Sequence, residues 1–163
     1  MGASMQMVGG PFFDDLHVGQ VADSAPALTL TEGLAATHAS IVGNRMRLTL
    51  DAELSRRVLG DRLAHPALVW DVANGHSTLF TQRVIANLFY RGFMFRHAPR
   101  IGDTLYTKTE VVALRQNRAR PGRAATGLAA LRVRTLDQNG RHRDAVEHRT
   151  AIRSNKEPEI YYP

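Results

Sequence analysis

The sequence predicts an α+β fold, a curved antiparallel sheet around one central helix. Three observations predict it. One long apolar helix begins at Pro66 and carries Ala67, Leu68, Trp70, Val72 and Ala73 on toward Ser77, Leu79 and Phe80. Four segments rich in β-branched and aromatic residues follow it, at 84–97, 104–115, 124–136 and 142–153. The last two are joined by Asp137-Gln138-Asn139-Gly140, a hairpin signature. At 163 residues and 44% hydrophobic content, the chain has the length of one domain with a substantial core.

The elements can be read in order. Phe12 to Gln20 forms an entry loop ending in a turn, and Ala27 to Leu30 a short strand. Thr31 caps a helix that Gly43 ends, with Leu34, His38 and Ile41 near one face. Asp51 caps a second short helix, stopped by Gly60. Pro66 suits the first turn of the apolar helix, where its missing N–H would go unpaired anyway. That helix is apolar nearly all round, which predicts that the sheet wraps it. Pro99 to Asp103 makes a turn, and residues 116–123 a polar loop holding Pro121-Gly122. In 124–136, Leu131 and Val133 alternate with Arg132 and Arg134, the pattern of a half-buried strand. No internal repeat is visible. The expected organisation is a disordered N-terminus or cloning remnant at 1–11, one domain at 12–153 and a C-terminal tail at 154–163.

Composition narrows the function. The absence of cysteine excludes disulfides and thiolate chemistry, and suits a cytoplasmic protein. No apolar run is long enough to span a bilayer, so no membrane partner is expected. The net charge of +6 raises nucleic acid as a partner. Of 21 basic residues, however, only Lys108 and Lys156 are lysines, a bias typical of a GC-rich genome. The arginines at 115, 118, 120, 123, 132 and 134 are not interleaved with aromatic residues, so no nucleic-acid partner is expected either. The phosphates of a nucleotide-tailed cofactor suit such a cluster equally well.

Several segments together resemble the MaoC-like dehydratase family of hotdog proteins. They are Phe13-Asp14-Asp15-Leu16-His17-Val18-Gly19-Gln20, Leu28-Thr29-Leu30-Thr31-Glu32, Ile101-Gly102-Asp103-Thr104-Leu105 with Thr109-Glu110-Val111, and Asp137-Gln138-Asn139-Gly140. Gly33-Leu34-Ala35-Ala36, Leu63-Ala64-His65-Pro66-Ala67-Leu68-Val69-Trp70 and Asn87-Leu88-Phe89-Tyr90-Arg91-Gly92 resemble the N-terminal half of two-hotdog, mesaconyl-CoA hydratase-like members. The resemblance covers roughly Phe12 to Ile152. It implies a hotdog fold, a homodimer or a heterodimer with another hotdog protein, and hydro-lyase chemistry on a 2-enoyl-CoA. Coenzyme A enters as part of the substrate, and no separate cofactor is expected.

The family's catalytic segment reads roughly G-D-x-N-P-[IL]-H-x-D. In the matching stretch, Asn44 stands for the catalytic Asp and Thr49 for the catalytic His. Asn does not ionise, and Thr does not titrate near neutrality. The family's A-H-G tripeptide offers a backbone N–H to the thioester carbonyl. Pro66 stands for that Gly and has no N–H. The expectation is a substrate-binding half whose catalysis comes from a second hotdog. A hotdog thioesterase and a non-catalytic CoA-thioester binder are the alternatives.

The candidate residues follow from this reading. Asn44 and Thr49 are the degenerate catalytic positions. His65 either takes a catalytic part or bonds the backbone at its helix start. Asp71, with His76 on the same helix, is the candidate for thioester hydrolysis. Arg45 and Arg47 either meet a substrate carboxylate or lie solvated. His38 either faces the same cleft or is a partly buried helix residue. Pro66 and Ala67 line the acyl site, and Arg118, Arg120 and Arg123 either contact CoA phosphate or belong to an exposed basic loop. Tyr90 and its neighbouring phenylalanines read as core or dimer contacts. No metal-ligand spacing is present, because His142 and His148 lack a third ligand.

Overall fold

A computed structural model describes residues 9–118, 121 and 125–153. The N-terminal residues 1–8, the tail 154–163 and the loop residues Arg120 and Arg123 lie outside the described residues. The chain opens with a 3-10 turn at Phe13–Asp15 and two short strands, β1 (Val21–Ala22) and β2 (Leu28–Thr29). Five helices follow: α1 (Glu32–Val42), α2 (Arg47–Leu50), α3 (Ala52–Leu59), α4 (Pro66–His76) and α5 (Thr78–Thr81). Four long strands complete the fold: β3 (Val84–Met94), β4 (Thr104–Gln116), β5 (Thr126–Leu136) and β6 (His142–Arg153). The antiparallel sheet runs in the order β1-β4-β5-β6-β3, and β2 also pairs with β4. This is the hotdog arrangement, with α4 lying across β4, β5 and β6.

Local chemistry sets the helix limits. The Thr31 hydroxyl accepts from Leu34 N at 3.1 Å, and the Asp51 carboxylate accepts from Leu54 N at 2.9 Å. Gly43 and Gly60 end their helices at φ of 62° and 72°, the left-handed conformation that glycine adopts most readily. Pro66 opens α4, as its fixed φ favours. The apolar helix stops at His76 and resumes as α5, with Ser77 between them.

The sheet does not wrap α4 on every side. Leu68, Val69 and Ala73 are buried against it, each larger side chain contributing roughly 1.5–3 kcal/mol by burial. Asp71 and Gly75 on the opposite face are exposed. Ile41 is 79% exposed, so it does not share the buried face of His38. The core comprises two clusters. Phe13, Leu16, Phe80, Val111, Leu131 and Ile152 fill one end, and Leu30, Ala64, Leu68, Val69 and Leu105 fill the other.

Curvature comes from irregular pairing. The β3–β6 register shifts at three points, one of them between Arg91 and Met94. Gly92 lies within that shift at φ 65°. An extra residue in left-handed conformation bends a strand and reverses which face the following side chains occupy.

Candidate functional site

The segment 43–51 folds into a small closed loop. The Asn44 amide donates from Nδ2 to Thr49 Oγ1 at 2.6 Å. The Thr49 hydroxyl donates to the Met46 carbonyl at 2.9 Å, and Met46 N donates to Asn44 Oδ1 at 2.8 Å. Asn44 and Thr49, five positions apart, therefore meet. Their polar atoms bond to each other and to the loop backbone. No member of this ring titrates near neutrality.

Asn44 and Thr49 line a small polar cavity of about 140 Å³, together with Glu32, Ala35, Arg62 and His65. Arg62 forms a two-pronged pair with Glu32, Nε and Nη2 each 3.0 Å from a carboxylate oxygen. That fork holds the Glu32 carboxyl below its usual range. The third nitrogen, Arg62 Nη1, is buried without a hydrogen-bond partner. Arg62 carried no motif signal, and only the folded chain brings it to Glu32.

A larger apolar cleft of about 440 Å³ adjoins this cavity. Met46, Pro66, Ala67, Trp70, Tyr90, Phe93 and Phe95 line it, with His65. Trp70 packs edge-on against Tyr90 and Phe93, at centroid distances of 5.0 and 5.2 Å. Phe93 packs edge-on against Phe95 at 4.7 Å. In a regular strand Tyr90 would point away from Phe93 and Phe95; the register shift at Gly92 explains how all three reach one cleft. These aromatics are cleft walls rather than core residues, since Tyr90 and Phe93 remain 42% and 44% exposed.

His65 lines both spaces, at their junction. Its Nδ1 accepts from Ala67 N at 3.1 Å, so it caps α4 and bonds the backbone as one of its two expected roles required. Burial, followed by the neighbouring His38, holds its pKa below the ordinary imidazole value. The His38 ring lies 5.8 Å from it. His38 is buried and donates from Nε2 to Asp71 Oδ2 at 2.8 Å, while its Nδ1 has no partner. Neither His38 nor Asp71 lines the two spaces, and the Asp71 side chain is 53% exposed. His76 bonds Thr107 Oγ1 at 2.9 Å, and burial holds its pKa low as well.

Arg45 and Arg47 are exposed and line neither space. Arg118 is exposed at the end of β4, away from both. No helix among the described residues is long and apolar enough to cross a membrane. Among the described residues no group of His, Cys, Asp and Glu side chains is arranged to hold a metal ion.

No family model matches the chain. It is 34% identical over 111 residues to the beta-methylmalyl-CoA dehydratase of Chloroflexus aurantiacus, a match covering 67% of this chain and 32% of that protein. A conserved hypothetical protein of Mycobacterium tuberculosis, described as having a double hotdog fold, superposes with a TM-score of 0.89 at 53% identity. That match covers 96% of this chain and 47% of the other. A putative MaoC domain protein dehydratase from Chloroflexus aurantiacus superposes with a TM-score of 0.84 at 28% identity, over 99% of this chain and 46% of the other. The chain spans less than half the length of each of these relatives.

Proposed function

The chain belongs to the MaoC-like hotdog proteins, and from that premise we propose that it binds a 2-enoyl-CoA thioester as the non-catalytic half of a hydratase or dehydratase. The acyl chain occupies the aromatic cleft, and a second hotdog unit supplies the proton transfers. One observation carries this reading: the Asn44–Thr49–Met46 ring of neutral hydrogen bonds at the positions where the family places its acid and base. Hydration of an enoyl thioester needs a group to activate water and a group to protonate the α-carbon. Neither Asn44 nor Thr49 does either. Arg45 and Arg47 are exposed and line neither space, so the geometry lends no support to their meeting a substrate carboxylate.

The second unit docks on β3. This strand closes the sheet at its edge. It exposes Ile85, Leu88 and Met94, at 46–53% each. Exposed apolar side chains on an edge strand are a surface that natural proteins cover. The relatives twice as long, one of them described as a double hotdog, agree with a second unit seated beside this one. A copy of this chain can cover that strand, but the unit that supplies the proton transfers is a different hotdog polypeptide, because a copy carries the same Asn44 and Thr49.

Thioester hydrolysis at Asp71 or His76 has less support. Asp71 is engaged by His38 and His76 by Thr107, and neither lines the cleft. A pure CoA-thioester binder remains the reading if no hotdog partner restores turnover.

Calorimetric titration with crotonyl-CoA and mesaconyl-CoA tests the binding half of the proposal. Saturable binding is expected, and its absence would overturn the reading. Sedimentation tests the pairing half. A dimer that Ile85→Lys with Leu88→Lys converts to monomer is expected if a second copy covers this strand. A monomer that also fails to capture any hotdog polypeptide coexpressed with it would refute the pairing.

A further inference from the structure

The start of α4 has no free amide to offer a ligand. Pro66 has no N–H. The Ala67 N–H is committed to His65 Nδ1 at 3.1 Å, and the Leu68 N–H to the His65 carbonyl at 2.9 Å. A thioester carbonyl arriving at this helix end would find no backbone donor among these three residues. The one polar side chain common to the apolar cleft and the polar cavity is His65.

The cap also sets the state of the ring. A nitrogen that accepts a hydrogen bond carries no proton, so the proton of neutral His65 is on Nε2. Nδ1 is turned onto the helix backbone, which leaves Nε2 as the ring nitrogen available to a ligand in the spaces His65 lines. Donation from Ala67 into Nδ1 polarises the ring and makes Nε2–H a stronger donor. Burial and the adjacent His38 disfavour the imidazolium, and Asp71 alone opposes them. A neutral imidazole presenting one N–H suits a carbonyl oxygen that gains negative charge.

The geometry points to His65 as the residue that binds the thioester carbonyl oxygen through Nε2–H, replacing the backbone donor that Pro66 removes. This rests on the reading of the aromatic cleft as an acyl-thioester site. His65 contacts the ligand directly, while Ala67 N–H is the positioning group. No covalent step is involved, only a hydrogen bond to the carbonyl oxygen.

The test compares two ligands: butyryl-CoA, and S-butyl-CoA, the thioether that lacks only the carbonyl oxygen. Calorimetry of the wild-type chain should show a preference of about tenfold for the thioester, the size of one net hydrogen bond to a polarised acceptor. His65→Asn keeps an amide side chain that caps the helix but cannot reach the Nε2 position. It should bring the ratio of the two affinities to about one. His65→Gln places an N–H near the Nε2 position and should restore part of the preference. Equal affinities in the wild type, or a preference undiminished in His65→Asn, would overturn the assignment while leaving the cleft intact as a binding site. Binding of neither ligand would overturn both. Nitrogen-15 spectra give an independent check. A proton on Nδ1 rather than Nε2 of His65 contradicts the assignment without reference to any ligand.

Discussion

The two spaces that meet at His65 differ in what their residues can still do. In the polar cavity, Asn44, Thr49 and the Met46 backbone bond to one another, and Arg62 is neutralised by Glu32. In the aromatic cleft, Trp70, Tyr90, Phe93 and Phe95 pack edge to face and leave room of about 440 Å³. The Asn44–Thr49–Met46 groups satisfy one another and stabilise the loop rather than serve a reacting molecule, while Arg62 Nη1 is left without a partner. Apolar walls around an open volume keep their full capacity to desolvate an acyl chain. The comparison separates binding from catalysis within one site. On the proposed reading, the apolar side retains the capacity to bind, while the two motif positions, Asn44 and Thr49, carry no group that titrates near neutrality.

Restoring the missing groups would change the polar side most. The triple variant Asn44→Asp, Thr49→His, Pro66→Gly should hydrate crotonyl-CoA at least ~100-fold faster than the parent, because an acid/base pair and a carbonyl donor each contribute on that order. A spectrophotometric assay of the enoyl band checks it, and no gain would break the assignment of these positions. On the apolar side, Trp70→Ala removes the ring that Tyr90 and Phe93 pack against. Affinity for octanoyl-CoA should fall about tenfold, as buried methylenes lose their contact, with little change for acetyl-CoA. An equal loss for both would show that the cleft does not hold the acyl chain.

Smaller effects sharpen the same contrast. Asn44→Ala opens the loop ring and should cost about 1 kcal/mol in urea unfolding without altering octanoyl-CoA affinity. A large loss of affinity instead would make Asn44 a ligand contact. The smallest effect is on pH. His65 and His76 both have pKa values held below the ordinary imidazole range by burial. The unfolded chain therefore binds more protons than the folded one as pH falls below about 6.5. Stability should be full above that value and decline on acidification through the folded pKa values. The His65→Asn, His76→Asn pair should flatten this dependence in thermal melts between about pH 7 and pH 5.

Much of this was legible in the sequence, and what escaped it has a common physical cause. Thr31, Asp51, Gly43, Gly60 and Pro66 mark their helix ends by local chemistry, and the structure follows them. Alternation in Leu131 to Arg134 gave the buried face of β5. The family resemblance puts Asn44 and Thr49 at the acid and base positions, and their side chains meet. The features that escape a reading of the sequence depend on contacts distant along the chain. His38 finds Asp71 across 33 positions, and Arg62 finds Glu32 across 30. Ile41 fits a helical period but lies where no element covers α1. The joint facing of Tyr90, Phe93 and Phe95 depends on one irregular step at Gly92, which period-two counting does not register.

The central claim is that this chain binds acyl-CoA but does not itself carry out the proton transfers. Its most direct test is single-turnover hydration of crotonyl-CoA by the purified chain at saturating concentration. The account predicts bound substrate with a hydration rate at least ~100-fold below the same preparation carrying the restored acid/base pair. Hydration by the unaltered chain at ordinary enzymatic rates, on the order of 1–1,000 per second, would contradict it.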